Sequence, residues 1–151
     1  MLFKYSLNSS DSDIHANITR EKLRNILNSG FFEFKKTPLC TNQADSFHNL
    51  RIHAFYNPVT DKLEGIELFH PNRIFYTHEI CLLDEDVKSL MYSLKKNKIP
   101  FTKDPVGIDL EQGKIAVYAP YIETQYPECF SVYFDLSQGA GLKILESKKF
   151  N

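Results

Sequence analysis

The sequence predicts an α+β fold, in which a mostly antiparallel sheet of β-meander and hairpins is packed by two amphipathic helices in one domain over residues 1–151. Three observations predict it. Two segments, 18–30 and 84–97, carry apolar residues at helical spacing between capping residues. The other apolar residues fall mainly in short runs that alternate with period two and are divided by turn residues. Finally, 42% of the 151 residues are apolar, with 12 Phe and 8 Tyr. A chain of this length buries roughly two-thirds of its unfolded surface and needs no disulfides to fold.

"FKYSL" at 3–7 alternates as a first strand, and a polar stretch follows. "ITREKLRNILNSG" predicts a helix with Thr19 as N-cap, Ile18 stapled to Leu23, a buried stripe of Leu23, Ile26 and Leu27, and Gly30 as its stop. "FFEF" at 31–34 reads as a strand entering the core, and 35–49, rich in turn residues, as a loop. Four strand-like runs then form the meander: 51–57, 62–69, 72–77 and 79–83. Gly65 inside the second run marks a bulge or a close backbone approach. Asp84 opens the second helix, where Val87, Leu90, Met91 and Leu94 share one face, with acids in the first turn and lysines in the last. "VGIDL" and "IAVYAP" make a hairpin turned at Gly113, "CFSVYFDL" at 129–136 makes a further strand, and "GAG" at 139–141 turns the chain into "LKILESKKF".

With 18 basic and 19 acidic residues, the chain lacks the overall positive charge of a nucleic-acid binder. Locally the charge is uneven. Residues 88–103 hold five lysines and no acid, a net of +5, whereas 104–135 hold six acids and one lysine, a net of −5. No apolar run approaches the roughly 20 residues of a membrane span, and "MLFKYSLNSS" lacks the core of a signal peptide. The expectation is a cytoplasmic protein with reduced thiols, since Cys40, Cys81 and Cys129 are odd in number and widely spaced.

"LEGIELFHPNRIFYTHEICLL" places His70, Arg73, His78 and Glu79 close together in the chain. Pro71 and Asn72 are turn formers, so the plainer reading is a hairpin whose polar side chains flank a turn. The alternative is a small hydrolase or nuclease that uses His70, His78 and Glu79 in acid-base chemistry. His78 and Cys81 would face opposite sides of a strand, which suits zinc poorly, and no nucleophile elbow or phosphate loop is present. No cofactor or metal is expected. A different surface is the acidic hairpin 104–120 with the tyrosines after it, where carboxylates and amphipathic rings suit a protein contact.

"GIELFHPNRIFYTHEICLLDEDVKSLMYSLK" and "DPVGIDLEQGKIAVYAP", within residues 57–120, resemble small bacterial immunity proteins of contact-dependent growth inhibition and other polymorphic toxin systems. In that grouping a β-meander leads into an amphipathic helix and then a hairpin. The resemblance implies a non-enzymatic cytoplasmic protein that binds a cognate toxin domain, often a nuclease, and blocks its active site or substrate groove, with no direct contact to nucleic acid or membrane. It transfers no binding residue. From charge and residue type, the expected toxin-binding set is Asp104, Asp109, Glu111, Tyr118, Tyr121, Glu123, Tyr126 and Glu128. The protein is expected to be a monomer or a weak homodimer joined through a sheet edge. An adaptor using such an edge for an unrelated partner is a further alternative.

Overall fold

The computed structural model describes residues 1–40, 43–83, 86–123 and 128–146. Among these are twelve strands and two α-helices: β1 (Leu2–Ser6), β2 (Ile14–His15), α1 (Arg20–Leu27), β3 (Phe32–Phe34), β4 (Ala44–Phe47), β5 (Ile52–Tyr56), β6 (Leu63–Phe69), β7 (Arg73–Phe75), α2 (Val87–Lys96), β8 (Thr102–Asp104), β9 (Gly107–Leu110), β10 (Ile115–Tyr118), β11 (Ser131–Asp135) and β12 (Gly141–Glu146). The fold is α+β and mostly sheet. A large antiparallel sheet runs in the order β3-β4-β5-β6-β11-β10-β9-β8, and a small one in the order β2-β12-β1-β7, where β1 and β7 are parallel.

Register settles which residues share a face, because successive side chains on a strand point to opposite sides. Phe47, Ile52, Leu68, Val132, Val117 and Ile108 form one cross-strand row of the large sheet, and Ala54, Ile66, Phe134, Ile115 and Leu110 form the next on the same side. Both rows are buried. Against this inner face lies the small sheet, where Tyr5 stacks on Phe134 with ring centroids 5.6 Å apart. One continuous core includes residues of both sheets and both helices.

Both helices form where their periodicity predicts. The Thr19 hydroxyl accepts from the Lys22 N–H at 3.2 Å, and Leu23 and Leu27 are buried. The stop is Asn28 rather than Gly30: Asn28 takes the left-handed conformation at φ 43°, which its short polar side chain tolerates. In α2, Asp86 is the N-cap, accepting from the Ser89 N–H at 2.8 Å, and Val87, Leu90 and Leu94 are buried while Met91 is half-buried. Asp84, expected to open the helix, lies outside the described residues.

Four expectations need correction. The loop at 35–49 contains β4, whose pattern was hidden because its polar Asp45 and Ser46 are buried. Asp45 is fully enclosed, and two N–H groups of Arg24 reach its carboxylate at 2.8 and 2.9 Å while the Tyr56 hydroxyl donates at 2.7 Å, so the charge is paired rather than exposed. This ties α1 to β4 and β5. Second, β3 is an edge strand in which Phe32 and Glu33 are exposed, so "FFEF" does not enter the core. Third, β7 does not pair with β6. Between them the chain leaves the large sheet through a cis His70-Pro71 peptide and Asn72, and β7 joins β1. Fourth, 79–83 is not a strand, although Tyr76 and Leu82 N–H groups donate to the Ile80 and Ile74 carbonyls at 2.8 and 3.0 Å, closing a tight return.

Asn72 is buried at the crossover. Its amide nitrogen donates to the carbonyls of Leu50, Arg51 and Phe69 at 2.8, 3.0 and 3.0 Å, and its amide oxygen accepts from the Met1 amino group at 2.8 Å. Asn72→Leu strands the Leu50 carbonyl and the Met1 amino group, whereas the Arg51 and Phe69 carbonyls keep the backbone N–H groups of Phe69 and residue 72; the change should cost about 3 kcal/mol. Urea unfolding of the variant would measure that loss, and a cost below about 1 kcal/mol would contradict this account.

Candidate functional site

The other side of the large sheet has no layer of secondary structure packed over it among the described residues. One register row crosses all eight strands on this outer face: Phe32, Ser46, His53, Glu67, Tyr133, Ala116, Asp109 and Thr102. A neighbouring row carries Phe69, Ser131, Tyr118, Gly107 and Asp104. Most of these side chains are half-buried or exposed, in contrast to the inner rows.

The aromatic rings pack on one another along the face. His53 lies 4.8 Å from both Phe34 and Phe69, and Phe55 lies 5.9 Å from Tyr133. The Lys36 ammonium reaches over Phe55 and Tyr133 at 4.8 and 5.5 Å. At the other end, Tyr118 and Tyr121 contact the exposed ring of Phe130 edge-on, at 6.2 and 5.8 Å. Gly65 has a specific role here, since a Cβ at this position would collide with the Tyr133 hydroxyl and ring. The register also slips between Phe55 and Tyr56 opposite it, so the expected bulge and close approach coincide at Gly65.

Carboxylates are distributed among the rings. Burial raises the Tyr133 phenol, with further contributions from the charges of Asp135, Glu64 and Glu67, so it remains a neutral donor. Glu67 accepts from the Ser131 hydroxyl at 2.8 Å and lies 4.0 Å from His53 Nδ1. Glu64, Glu67, Asp104, Asp109 and Asp135 thus stand against Lys36 and, beside Asp109 and Asp135, Lys114, a net of −3 before His53 is counted.

The structure divides the eight residues expected at the interface. Asp104, Asp109 and Tyr118 lie on the outer face, and Tyr121 joins it through Phe130. Glu111 lies beyond the end of β9 and accepts from the Tyr76 hydroxyl. Glu123 is paired with Lys103 at 2.7 Å, which lowers its carboxyl below the ordinary range. Glu128 bridges the backbone of Asp86 at the start of α2. Tyr126 lies outside the described residues. Charge and residue type missed the centre of the face: Phe34, His53, Phe55, Glu67, Phe69 and Tyr133. The second parity of "RIHAFYN" and "SVYFD" carried the signal, since aromatic residues alternate there with the buried set.

The histidine cluster is dispersed. His70 is exposed beside Phe130, whose carbonyl accepts its N–H at 3.3 Å, whereas His78 and Glu79 form the tip of the return beyond β7. Among the described residues no group of three or more His, Cys, Asp and Glu could hold a metal ion, and no helix is long and apolar enough to cross a membrane. Compared with known proteins, the chain matches no family model, no curated protein and no solved structure.

Burial lowers the pKa of His53 below its ordinary 6.5, and Glu67 opposes the shift. His53 therefore contributes full stability above pH 6.5, and this contribution is lost as pH falls through 6.5 toward the folded-state value. NMR titration should find His53 below 6.5 and find it lower still in Glu67→Gln. An upward shift in that variant would contradict the assigned balance of burial and charge.

Proposed function

We propose that this protein is an immunity protein: it binds a cognate bacterial toxin domain through the outer face of the large sheet and blocks that domain's active site or substrate groove. The observation that carries this reading is the juxtaposition of packed rings and carboxylates on a sheet face over which no helix or strand packs among the described residues. Aromatic rings provide desolvated contact area at low entropic cost, and the carboxylates set the sign of the partner's charge.

The size of the face agrees with such a role. Eight strands about 4.8 Å apart span about 34 Å, and strands of about five residues run about 17 Å, so the projected area is about 580 Å². Side-chain relief brings the accessible area toward the roughly 800 Å² that each partner contributes to a standard interface. The partner chemistry follows from the charge. A nuclease must hold phosphate and is accordingly basic near its substrate groove, so a surface rich in carboxylates occupies that groove in place of the nucleic acid. The resemblance of residues 57–120 to immunity proteins supports the same reading.

The test is growth of cells expressing the toxin domain encoded beside this gene, with and without the protein, followed by co-purification. Rescue together with a stable complex is expected; absence of both would overturn the proposal. Within the complex, Glu67→Lys combined with Asp135→Lys should slow association at least tenfold at low salt. Tyr118→Ala should instead speed dissociation about tenfold, equivalent to about 1.4 kcal/mol. An association rate unaffected by either the charge reversals or ionic strength would remove the electrostatic part of the reading.

A further inference from the structure

Where the loop after β3 reaches over β5 and β11, the outer face opens into a cleft of about 380 Å³. Lys36, Leu39, Phe55, Glu64 and Tyr133 are among the residues that line it. Phe55 and Tyr133 are half-buried, and Lys36 and Glu64 are exposed, so rings and charges alike are open to solvent.

The two rings make a seat for a cation. Their centroids are 5.9 Å apart and their planes tilt at 58°, which forms a V rather than a flat stack. One ammonium lies over both: Lys36 Nζ is 4.8 Å from the Phe55 centroid and 5.5 Å from that of Tyr133. Each distance is within the roughly 6 Å over which a ring face attracts a cation. The surroundings are negative as well, since Asp135, Glu64 and Glu67 all act on the Tyr133 phenol through their charges. Among the described residues lining the cleft, Lys36 is the one cation. Lys35 acts on the Cys40 thiol but does not line the cleft, and Lys114 lies beside Asp135 on a different one.

The chain's own ammonium is held loosely in this seat. Lys36 stands on an exposed loop beyond an edge strand, where contact of an ammonium with a ring face is weak. Neither Lys36 nor Glu64 belongs to an ion pair among the described residues. Glu64 accepts a long bond from the Asn57 side-chain amide at 3.4 Å, which leaves its charge unanswered there. Leu39 lines the same cleft at 92% exposure and offers apolar surface to a hydrocarbon stem.

We propose that this cleft receives a lysine presented on a partner polypeptide, whose ammonium takes the place of Lys36 over Phe55 and Tyr133, with Glu64 as counter-ion and Leu39 against its stem. Lys36 is then a built-in occupant that the partner displaces. A V of two rings suits a compact ammonium, whereas a planar guanidinium stacks on one ring face. Free lysine would bring its own carboxylate toward Glu64 and Glu67, which favours a chain as the source. The inference deepens the inhibitor reading and rests on it for the identity of the partner. Its test uses no toxin, so the seat can fail while inhibition stands, and inhibition can fail while the seat stands.

The experiment is NMR titration of the full chain, native and Lys36→Ala, with N-acetyl-L-lysine N-methylamide. The matching norleucine and arginine derivatives and free L-lysine are comparisons; norleucine keeps the stem and removes the charge. Saturable shifts of the Phe55 and Tyr133 ring protons are expected, with affinity at least threefold tighter in Lys36→Ala and at least fivefold weaker for the norleucine derivative. Within the Lys36→Ala background, Glu64→Gln is an exposed change that leaves the core intact, and it should weaken binding at least threefold. Absence of saturable ring shifts in Lys36→Ala, equal affinity with and without Lys36, or equal affinity for the lysine and norleucine derivatives would overturn the proposal. Tighter binding of the arginine derivative would overturn the choice of lysine, and tighter binding of free L-lysine would overturn the polypeptide source.

Discussion

The carboxamide of Asn72 is the interaction on which the two-sheet arrangement turns. At the end of β6 the chain abandons the large sheet and starts a strand beside β1, and an abrupt departure of this kind leaves carbonyls facing the interior. Asn72 binds the Phe69 carbonyl at that departure together with the Leu50 and Arg51 carbonyls of the turn between β4 and β5, and is itself fully enclosed. With the crossover fixed there, β7 and β1 lie over the inner face, and β11 takes the place beside β6 that a simple meander would have given to β7.

The functional consequence is an asymmetry between the two faces of one sheet. Both helices and the small sheet contribute to the core with the inner rows, whose residues are close to completely buried. Among the described residues the outer face carries no such layer, yet it is not an ordinary polar face. Rings pack at tilted and edge-to-face angles across it from Phe34 to Tyr133, and carboxylates lie between them. This composition is what the proposed contact with a basic protein rests on. The buried Asp45 differs in kind. Its charge is answered by Arg24 and Arg20 and by the Tyr56 hydroxyl, so it holds α1 to the sheet and offers nothing to a ligand.

Much of the local structure was legible from residue order. Thr19 and Asp86 cap helices whose apolar spacing predicts them, and Gly65 marks a real bulge because the Tyr133 ring occupies the space of a side chain. The candidate surface was legible only in part. The acids and tyrosines of 104–121 pointed to one side of it, while Glu111, Glu123 and Glu128 are drawn elsewhere by Tyr76, Lys103 and the backbone of Asp86. Charge and residue type identify what a surface is made of, but they do not identify which strand lies next to which.

By itself, the sequence determined the elements whose signal is short-range: the two helices, β5, β6 and the β9–β10 hairpin, each specified by periodicity and capping within a few residues. Tertiary structure alone decided the rest. The Ser131–Glu67 bond joins residues 64 apart, β1 pairs with β12 at the far end of the chain, and Asp45 becomes a strand residue only because Arg24 and Tyr56 neutralise its burial. Sheet order and register arise from such distant contacts, and a local window contains only one side of each. Those pairings bring His53, Glu67 and Tyr133 into one row and leave His70 apart from His78.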